Sequence, residues 1–100
     1  MATQTPPSDN TNNPRAESLI EYPSLFPIKV MGHKVDGLVH AISMIAQQFD
    51  PAFDAKTIEL RESKGGNYLG VTITVTATSR EQLDELYRTL STHPMVKVVL

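Results

Sequence analysis

A chain of 100 residues, 40% of them apolar and 20% charged, is long enough for one small domain and too short for two. Its 9 Lys and Arg residues against 11 Asp and Glu give a formal net charge of -2, so no overall positive field attracts nucleic acid or an anionic membrane. The absence of Cys excludes disulfides and cysteine nucleophiles. No apolar run approaches the roughly 18 residues that span a bilayer, and the start lacks a signal peptide's features. We therefore expect a soluble cytoplasmic protein without a cofactor.

The first 18 residues differ in composition from the rest. They contain three of the seven prolines and only three apolar residues. So little apolar surface cannot offset a backbone ordering cost of roughly 1 to 2 kcal/mol per residue. We predict a disordered tail over residues 1–18 and a single folded domain over residues 19–100.

The next segments alternate between strand and helix patterns. Apolar residues alternate over residues 25–32, which predicts a strand, and Pro27 belongs near its entrance because proline has no N–H for a ladder. Residues 35–49 carry apolar side chains at i, i+3, i+4 and i+7, the stripe of an amphipathic helix. Pro51 follows and disfavours helical geometry in the residue before it.

The middle of the chain predicts a β-hairpin. Residues 56–62 and 68–77 both alternate, and the segment between them contains two glycines and an asparagine, which tolerate positive φ. Leu60 is predicted to point inward. In the second of these strands, valine and isoleucine alternate with threonine, so threonines face the other side.

A second helix and a last strand follow. Ser79 is a predicted N-cap, with Gln82 completing a capping box, and an apolar stripe runs on to Leu90. His93-Pro94 ends this helix. Residues 95–100 alternate again, with three apolar side chains predicted on one face: Val96, Val98 and Leu100.

The order β-α-β-β-α-β predicts an α+β fold, the ferredoxin-like plait. Its two crossovers each hold one helix, and right-handed crossovers place both helices on the same side of the sheet. We expect a four-stranded antiparallel sheet in the order 4-1-3-2, with one face covered and the other open.

The open face is the surface from which we predict contacts. Alternation places these residues there: Lys29, Met31, Glu59, Arg61, Thr72, Thr74, Thr76, Met95, Lys97 and Val99. RNA-binding modules of this topology stack bases on aromatic side chains, which this face lacks, so we expect no nucleic-acid binding. The face suits either solvent or a protein partner, and the C-terminal strand, an edge with one charge, invites strand pairing. We predict a homodimer or a protein partner at the open face or at this edge.

No motif for catalysis or metal binding stands out. The three histidines lie in three separate elements without metal-ligand spacing. His33, directly after Gly32 at the junction of strand and helix, is the one with a conceivable ligand role; a surface or helix-end position explains the other two. Residues 63–67 are not a phosphate loop, since Lys64 precedes the glycines and a strand follows. Acidic residues of the second helix are typical of a solvated face.

Three segments together resemble one known family. The run 22–32, which contains F-x-x-K-V-M-G, the S-K-G…N-Y hairpin and the ending V-K-V-V-L are similar to the YbeD family of small bacterial proteins of unknown function. The resemblance covers residues 19–100. A second glycine in the hairpin and the long polar tail depart from the family pattern.

The resemblance implies an ACT-like regulatory domain without established activity. It also suggests a link to lipoate metabolism, because genes of this family often neighbour lipoyl-transfer genes. By resemblance and position, the candidate residues for a small metabolite or a protein partner are Lys29, Gly32, His33, Lys34, Ser63, Lys64, Gly65, Asn67 and Tyr68. Gly32, Gly65, Asn67 and Tyr68 also have purely structural explanations.

A small hydrolase similar to acylphosphatase is the alternative function. That chemistry needs a phosphate-cradling loop with an arginine after the first strand and an asparagine on a neighbouring strand. After its first strand, this chain has Gly32-His33-Lys34 and no arginine. The sequence therefore favours a non-catalytic regulatory or adaptor domain.

Overall fold

The structure, a computed structural model, describes residues 21–100. The tail predicted over residues 1–18 lies outside the described residues. The helices and strands, in chain order, are β1 (Ser24–His33), α1 (Leu38–Phe49), β2 (Glu59–Glu62), β3 (Tyr68–Ala77), α2 (Arg80–Ser91) and β4 (Val96–Val99). A single 3-10 turn, Ala55–Thr57, precedes β2. Within residues 21–100, no helix is both long and apolar enough to cross a membrane.

The four strands form one antiparallel sheet in the order β2-β3-β1-β4. This is the predicted order read from the opposite edge, so the ferredoxin-like plait is confirmed. The central strands β1 and β3 pair along their whole length, from Ser24 opposite Ala77 to His33 opposite Tyr68. Pro27 lies inside β1, opposite Thr74, but β4 reaches only as far as Lys29, so at Pro27 the strand has one neighbour.

The core lies between the helices and one face of the sheet. Alternate residues of β1 and β3 are fully buried against the buried stripes of α1 and α2, and the principal members are Ile28, Val30, Val71, Ile73, Val75, Leu38, Ile42, Leu86 and Leu90. The helix α1 begins at Leu38, three residues later than predicted. Gly37 before it has a φ of 91°, which interrupts the helical geometry, and Val35 is exposed.

One prediction about the core is wrong, and one core residue was not predicted. Leu60 is 56% exposed, because β2 is a four-residue edge strand that the helices leave uncovered. Phe53 is buried in the core although it lies in the connection after α1, outside any periodic segment.

A β-bulge changes which side chains of β4 face outward. Val98 lies opposite Met31, yet Val96 lies opposite Gly32, so the register shifts by one residue at Lys97. The prediction that Val96, Val98 and Leu100 share a face is therefore wrong.

After the bulge, Val98 and Leu100 lie on the open face with their neighbours in β1. Val99 instead packs against the core. Met95 does so as well, and both were predicted on the open face. On the open face, Val98 and Leu100 thereby take the places predicted for Met95 and Val99.

Polar side chains tie the elements together at the sheet end opposite the hairpin. The buried carboxylate of Asp50 accepts hydrogen bonds from the backbone N–H groups of Ala52, at 3.1 Å, and Thr76, at 2.8 Å. It thereby joins the end of α1 to β3 and satisfies a strand N–H beyond the ladder.

Gln82 makes a second tie. The predicted N-cap is confirmed, since Ser79 Oγ accepts from the Gln82 N–H at 3.0 Å. The side chain of Gln82 reaches beyond the expected capping box: its Oε1 accepts from the Thr78 N–H, and its Nε2 donates to the carbonyls of Phe49 and Thr76.

Candidate functional site

The candidate residues divide between one corner of the sheet and its open face. The corner is formed where the hairpin between β2 and β3 lies beside the end of β1. Ser63 closes the hairpin, since its N–H donates to the Tyr68 carbonyl at 2.9 Å and its Oγ accepts from the Tyr68 N–H at 3.0 Å. Gly66, with a φ of 76°, takes the left-handed conformation, and Gly65 does not. The second glycine is therefore the residue that the turn requires.

Besides Ser63, four of the candidates meet at this hairpin corner: His33, Lys34, Asn67 and Tyr68. The rings of His33 and Tyr68 are stacked with centroids 5.0 Å apart and planes at 30°. The Lys34 N–H donates to the Asn67 carbonyl at 3.0 Å. The Lys34 ammonium also pairs with Glu62 at 2.5 Å, and both side chains are about half exposed. These contacts fasten the loop after β1 to the hairpin.

Gly32 has a packing role. A Cβ at this position would lie 2.3 Å from the Met95 carbonyl oxygen and 2.9 Å from Leu38 Cδ1. Only glycine lets the strand pass so close to both the connection before β4 and the first turn of α1. The residue is buried, so it offers no surface to a ligand.

The open face is arranged in rows that cross the sheet. Residues directly opposite one another in neighbouring strands share a face, so the strand register defines which side chains stand side by side. We name two adjacent rows by their members. The first row is Arg61, Gly70, Met31 and Val98, and the second row is Glu59, Thr72, Lys29 and Leu100.

The two rows form a surface with a polar and an apolar half. The half on β2 and β3 carries charge and a hydroxyl, whereas the half on β1 and β4 is apolar except for Lys29. Met31 is 41% exposed, Val98 45% and Leu100 72%, so these three side chains offer apolar surface to solvent. Contiguous exposed apolar surface of this kind marks contact sites more often than it marks plain solvated surface.

A shallow groove of about 720 Å³ runs over these rows. Gly70 has no side chain, which lowers the floor of the groove between Arg61 and Met31. Three of the predicted residues, Lys29, Ser63 and Lys64, line the groove. The structure thus connects the hairpin to the open face.

Three charged side chains of the two rows are not neutralised within residues 21–100. The ion pairs among residues 21–100 are Lys34 with Glu62, Arg80 with Asp84 and Arg88 with Glu85. The side chains of Lys29, Glu59 and Arg61 take part in none of them. They are therefore available to groups of opposite charge on a ligand or a partner.

Tyr87 lies behind the open face, against the core. Its hydroxyl donates to the Leu100 carbonyl at 3.4 Å, and burial raises the pKa of its phenol above the ordinary value of 10.0. The phenol therefore stays neutral at physiological pH.

Within residues 21–100, no three side chains of His, Asp or Glu come together as a metal site.

Sequence reasoning predicted Lys29 and Met31 on this surface but missed its β4 residues, Val98 and Leu100. The bulge at Lys97 reverses which of the last residues face outward, and no residue of special turn chemistry in that strand signals it. The polar half was predicted, since Glu59, Arg61 and Thr72 alternate regularly in unbroken strands.

The comparison with protein families decides the relationship. Residues 17–100 match the family described as "Protein of unknown function (DUF493)". The chain belongs to this family. Among its relatives is a UPF0250 protein of Leptothrix cholodnii, 69% identical over 87 residues, which are 87% of this chain and 96% of that protein. A UPF0250 protein of Ralstonia nicotianae is 59% identical over 96 residues, 96% of this chain and 99% of the relative. The resemblance to a family of small bacterial proteins of unknown function is confirmed.

Solved structures place the DUF493 fold beside the ACT domain. The solution structure of protein HP0495 from H. pylori superposes with a TM-score of 0.67 at 17% identity, covering 81% of this chain and 85% of that one. The ACT domain of GTP pyrophosphokinase from Chlorobium tepidum superposes with a TM-score of 0.63 at 19% identity, covering 78% of this chain and 96% of that one. The fold is therefore ACT-like.

Proposed function

We propose that this DUF493 protein is a non-catalytic regulatory or adaptor domain that acts by binding through the open face of its sheet. The observation that carries the proposal is the groove over the two rows, where unpaired charges lie beside exposed apolar side chains. A surface with both kinds of group can fix the orientation of a ligand with its charges and stabilise the complex by apolar burial. The ACT-like fold supports a regulatory role by analogy.

The groove suits a small metabolite that combines an anionic group with an apolar part. Lys29 and Arg61 line it and are free to bind a carboxylate or phosphate, and Arg61 can do so through two parallel hydrogen bonds. Met31 and Leu100 line the same groove and would contact the apolar part. Because the family resemblance suggests a link to lipoate metabolism, lipoate precursors belong in the first set of ligands to test.

The hydrolase alternative has less support. It requires a cationic loop after β1 that is free to hold a phosphate, and the cation in that loop, Lys34, is paired with Glu62. The nearby Asn67 contributes its backbone carbonyl to the same loop. Turnover in a panel of phosphatase and esterase substrates, abolished in Lys34→Ala, would favour the hydrolase over our proposal.

A thermal-shift screen of amino acids and lipoate precursors tests the regulatory proposal. A ligand at 100 times its Kd stabilises the folded state by about 2.7 kcal/mol, which raises the Tm of a domain of this size by roughly 10 to 20 °C. We expect Arg61→Ala to remove that shift. Lys56→Ala, an exposed lysine outside the groove, is the matched control and should leave it unchanged. A shift that Arg61→Ala leaves intact would move the binding site elsewhere, and a flat screen with no partner in a pull-down would contradict the proposal.

A further inference from the structure

We infer that the occupant of the open face is a second copy of the same chain, packed face to face. The two copies are related by a two-fold axis that lies in the plane midway between the two sheets, passes between the two rows and runs perpendicular to the strands. This inference rests on the proposed function only in taking the open face as the contact surface. Its basis is the strand register, which makes the two rows complementary to each other.

A two-fold rotation about this axis places each row over the other row of the second copy. Strands stay over the equivalent strands, so the polar half meets the polar half and the apolar half meets the apolar half. In the polar half, Arg61 then faces Glu59 of the second copy, and Glu59 faces its Arg61. Both ends of each pair are free of partners within residues 21–100, so two new ion pairs form without breaking any existing one.

The side chains of the two central strands, β1 and β3, are complementary in shape. Thr72 lies over Gly70 of the second copy, so a side chain fills the depression that the missing side chain leaves. Lys29 faces Met31, and the long methylene stem of the lysine can pack on the methionine while its ammonium reaches the rim.

The outward-facing residues at the C-terminal edge of the sheet contribute apolar burial. Val98 faces Leu100 of the second copy, and in the single chain these residues are 45% and 72% exposed. Burying such side chains between two sheets about 10 Å apart is the usual source of stability in face-to-face packing.

The alternative axis, parallel to the strands, gives a worse fit. It would place β2 over β4, so that Glu59 and Arg61 would lie against Val98 and Leu100. Charges would be desolvated against apolar groups without partners, which is costly. The charge pattern therefore favours one orientation of the second copy.

The available area indicates a weak dimer. Four strands at a spacing of about 4.8 Å, with central strands of about 33 Å, offer a face of at most roughly 600 Å² per copy. A standard interface buries about 800 Å² per partner. We expect dissociation constants in the micromolar range, so monomer and dimer exchange with concentration.

Charge reversal tests this geometry in the full chain. Glu59→Arg places two arginines opposite each other in both of these pairs, and Arg61→Glu places two glutamates there. For each variant alone, the dissociation constant of the dimer should rise by about tenfold or more. Sedimentation velocity over a concentration series up to roughly millimolar measures this change. A mixture of the two variants should form a heterodimer, because every arginine then meets a glutamate. The double reversal Glu59→Arg/Arg61→Glu should restore the homodimer.

Controls separate this result from general effects of charge or folding. Glu81→Arg, an exposed charge on α2, is the matched control and should leave dimerisation unchanged. Far-UV circular dichroism checks that each variant is folded, and Val98→Asp should weaken the dimer through the apolar half. A wild-type chain that stays monomeric at all concentrations overturns the inference, as does a dimer indifferent to both reversals, which would assign it to the β4 edge. A monomer that binds a metabolite in an Arg61-dependent manner overturns the dimer and leaves the proposed function standing.

Discussion

The two faces of the sheet are built from the same strands but have different roles. On the covered face, Ile28, Val30 and Ile73 are fully buried under the helices, and their burial provides the free energy of folding. On the open face, the residues between them form two rows with unpaired charges and exposed apolar groups. Substitutions on the covered face should therefore affect stability, whereas those on the open face should affect binding. Measurements of stability on single variants of each face test that division.

Gly32→Ala should cause the largest loss of stability. The added Cβ would overlap the Met95 carbonyl oxygen and press on Leu38, so β1, β4 or α1 must shift. We expect the free energy of unfolding in urea to fall by about 3 kcal/mol, at the upper end of the usual cost of overpacking.

Gly65→Ala is the matched control for Gly32→Ala. Its Cβ would lie 3.6 Å from Asn67 Nδ2, an ordinary contact, and its φ is not positive. We expect a change of under about 1 kcal/mol, in the stabilising direction if the unfolded chain loses freedom. Equal losses in both variants would show that the tight packing at Gly32 is not what stabilises the fold.

Asp50→Ala should cost somewhat less. It removes the acceptor of two backbone hydrogen bonds and leaves the part-buried N–H of Thr76 without its partner. An unsatisfied buried donor costs about 1 to 3 kcal/mol, so we expect a loss of about 2 kcal/mol in chemical denaturation. The exposed Asp36 provides the control, and Asp36→Ala should change the free energy by less than about 0.5 kcal/mol. A loss at Asp36 as large as that at Asp50 would contradict the structural role of the buried carboxylate.

Glu59→Ala and Arg61→Ala should have the smallest effect on the stability of the single chain. Both side chains are exposed and make no ion pair among residues 21–100. We expect changes below about 0.5 kcal/mol in urea unfolding at protein concentrations where the monomer dominates. A loss above about 1 kcal/mol in either variant would show that the open face contributes to folding, and the division between the two faces would no longer hold.

Much of the fold could be predicted because it depends on local periodicity. Alternation and the helical stripe located every strand and both helices, and the handedness of crossovers then left one sheet order. Errors arose where the burial of a side chain depends on which other elements pack around it. Leu60 has the pattern of an inward residue, yet no helix covers its strand. Phe53 lies in a connection and is buried because it packs into the core formed by other elements.

The candidate site was predictable only in part, for a similar reason. Motif and position identified the residues of the hairpin corner, and the structure brings His33, Lys34, Asn67 and Tyr68 into contact. The groove could not be predicted, since it depends on Gly70 lying between two side chains from other strands. Contacts between strands distant in sequence are set by register, and register is not a local property.

By itself, the sequence determined the order of elements and the side chains that form most of the core, because period and turn chemistry act over a few neighbouring residues. Only the tertiary structure decided what the open face looks like. The bulge at Lys97 turns Val98 and Leu100 outward, and the pairing of four strands places Arg61 and Glu59 in adjacent rows. The physical reason is that a one-residue shift in pairing moves every later side chain to the opposite face, and this shift arises from strands meeting in space.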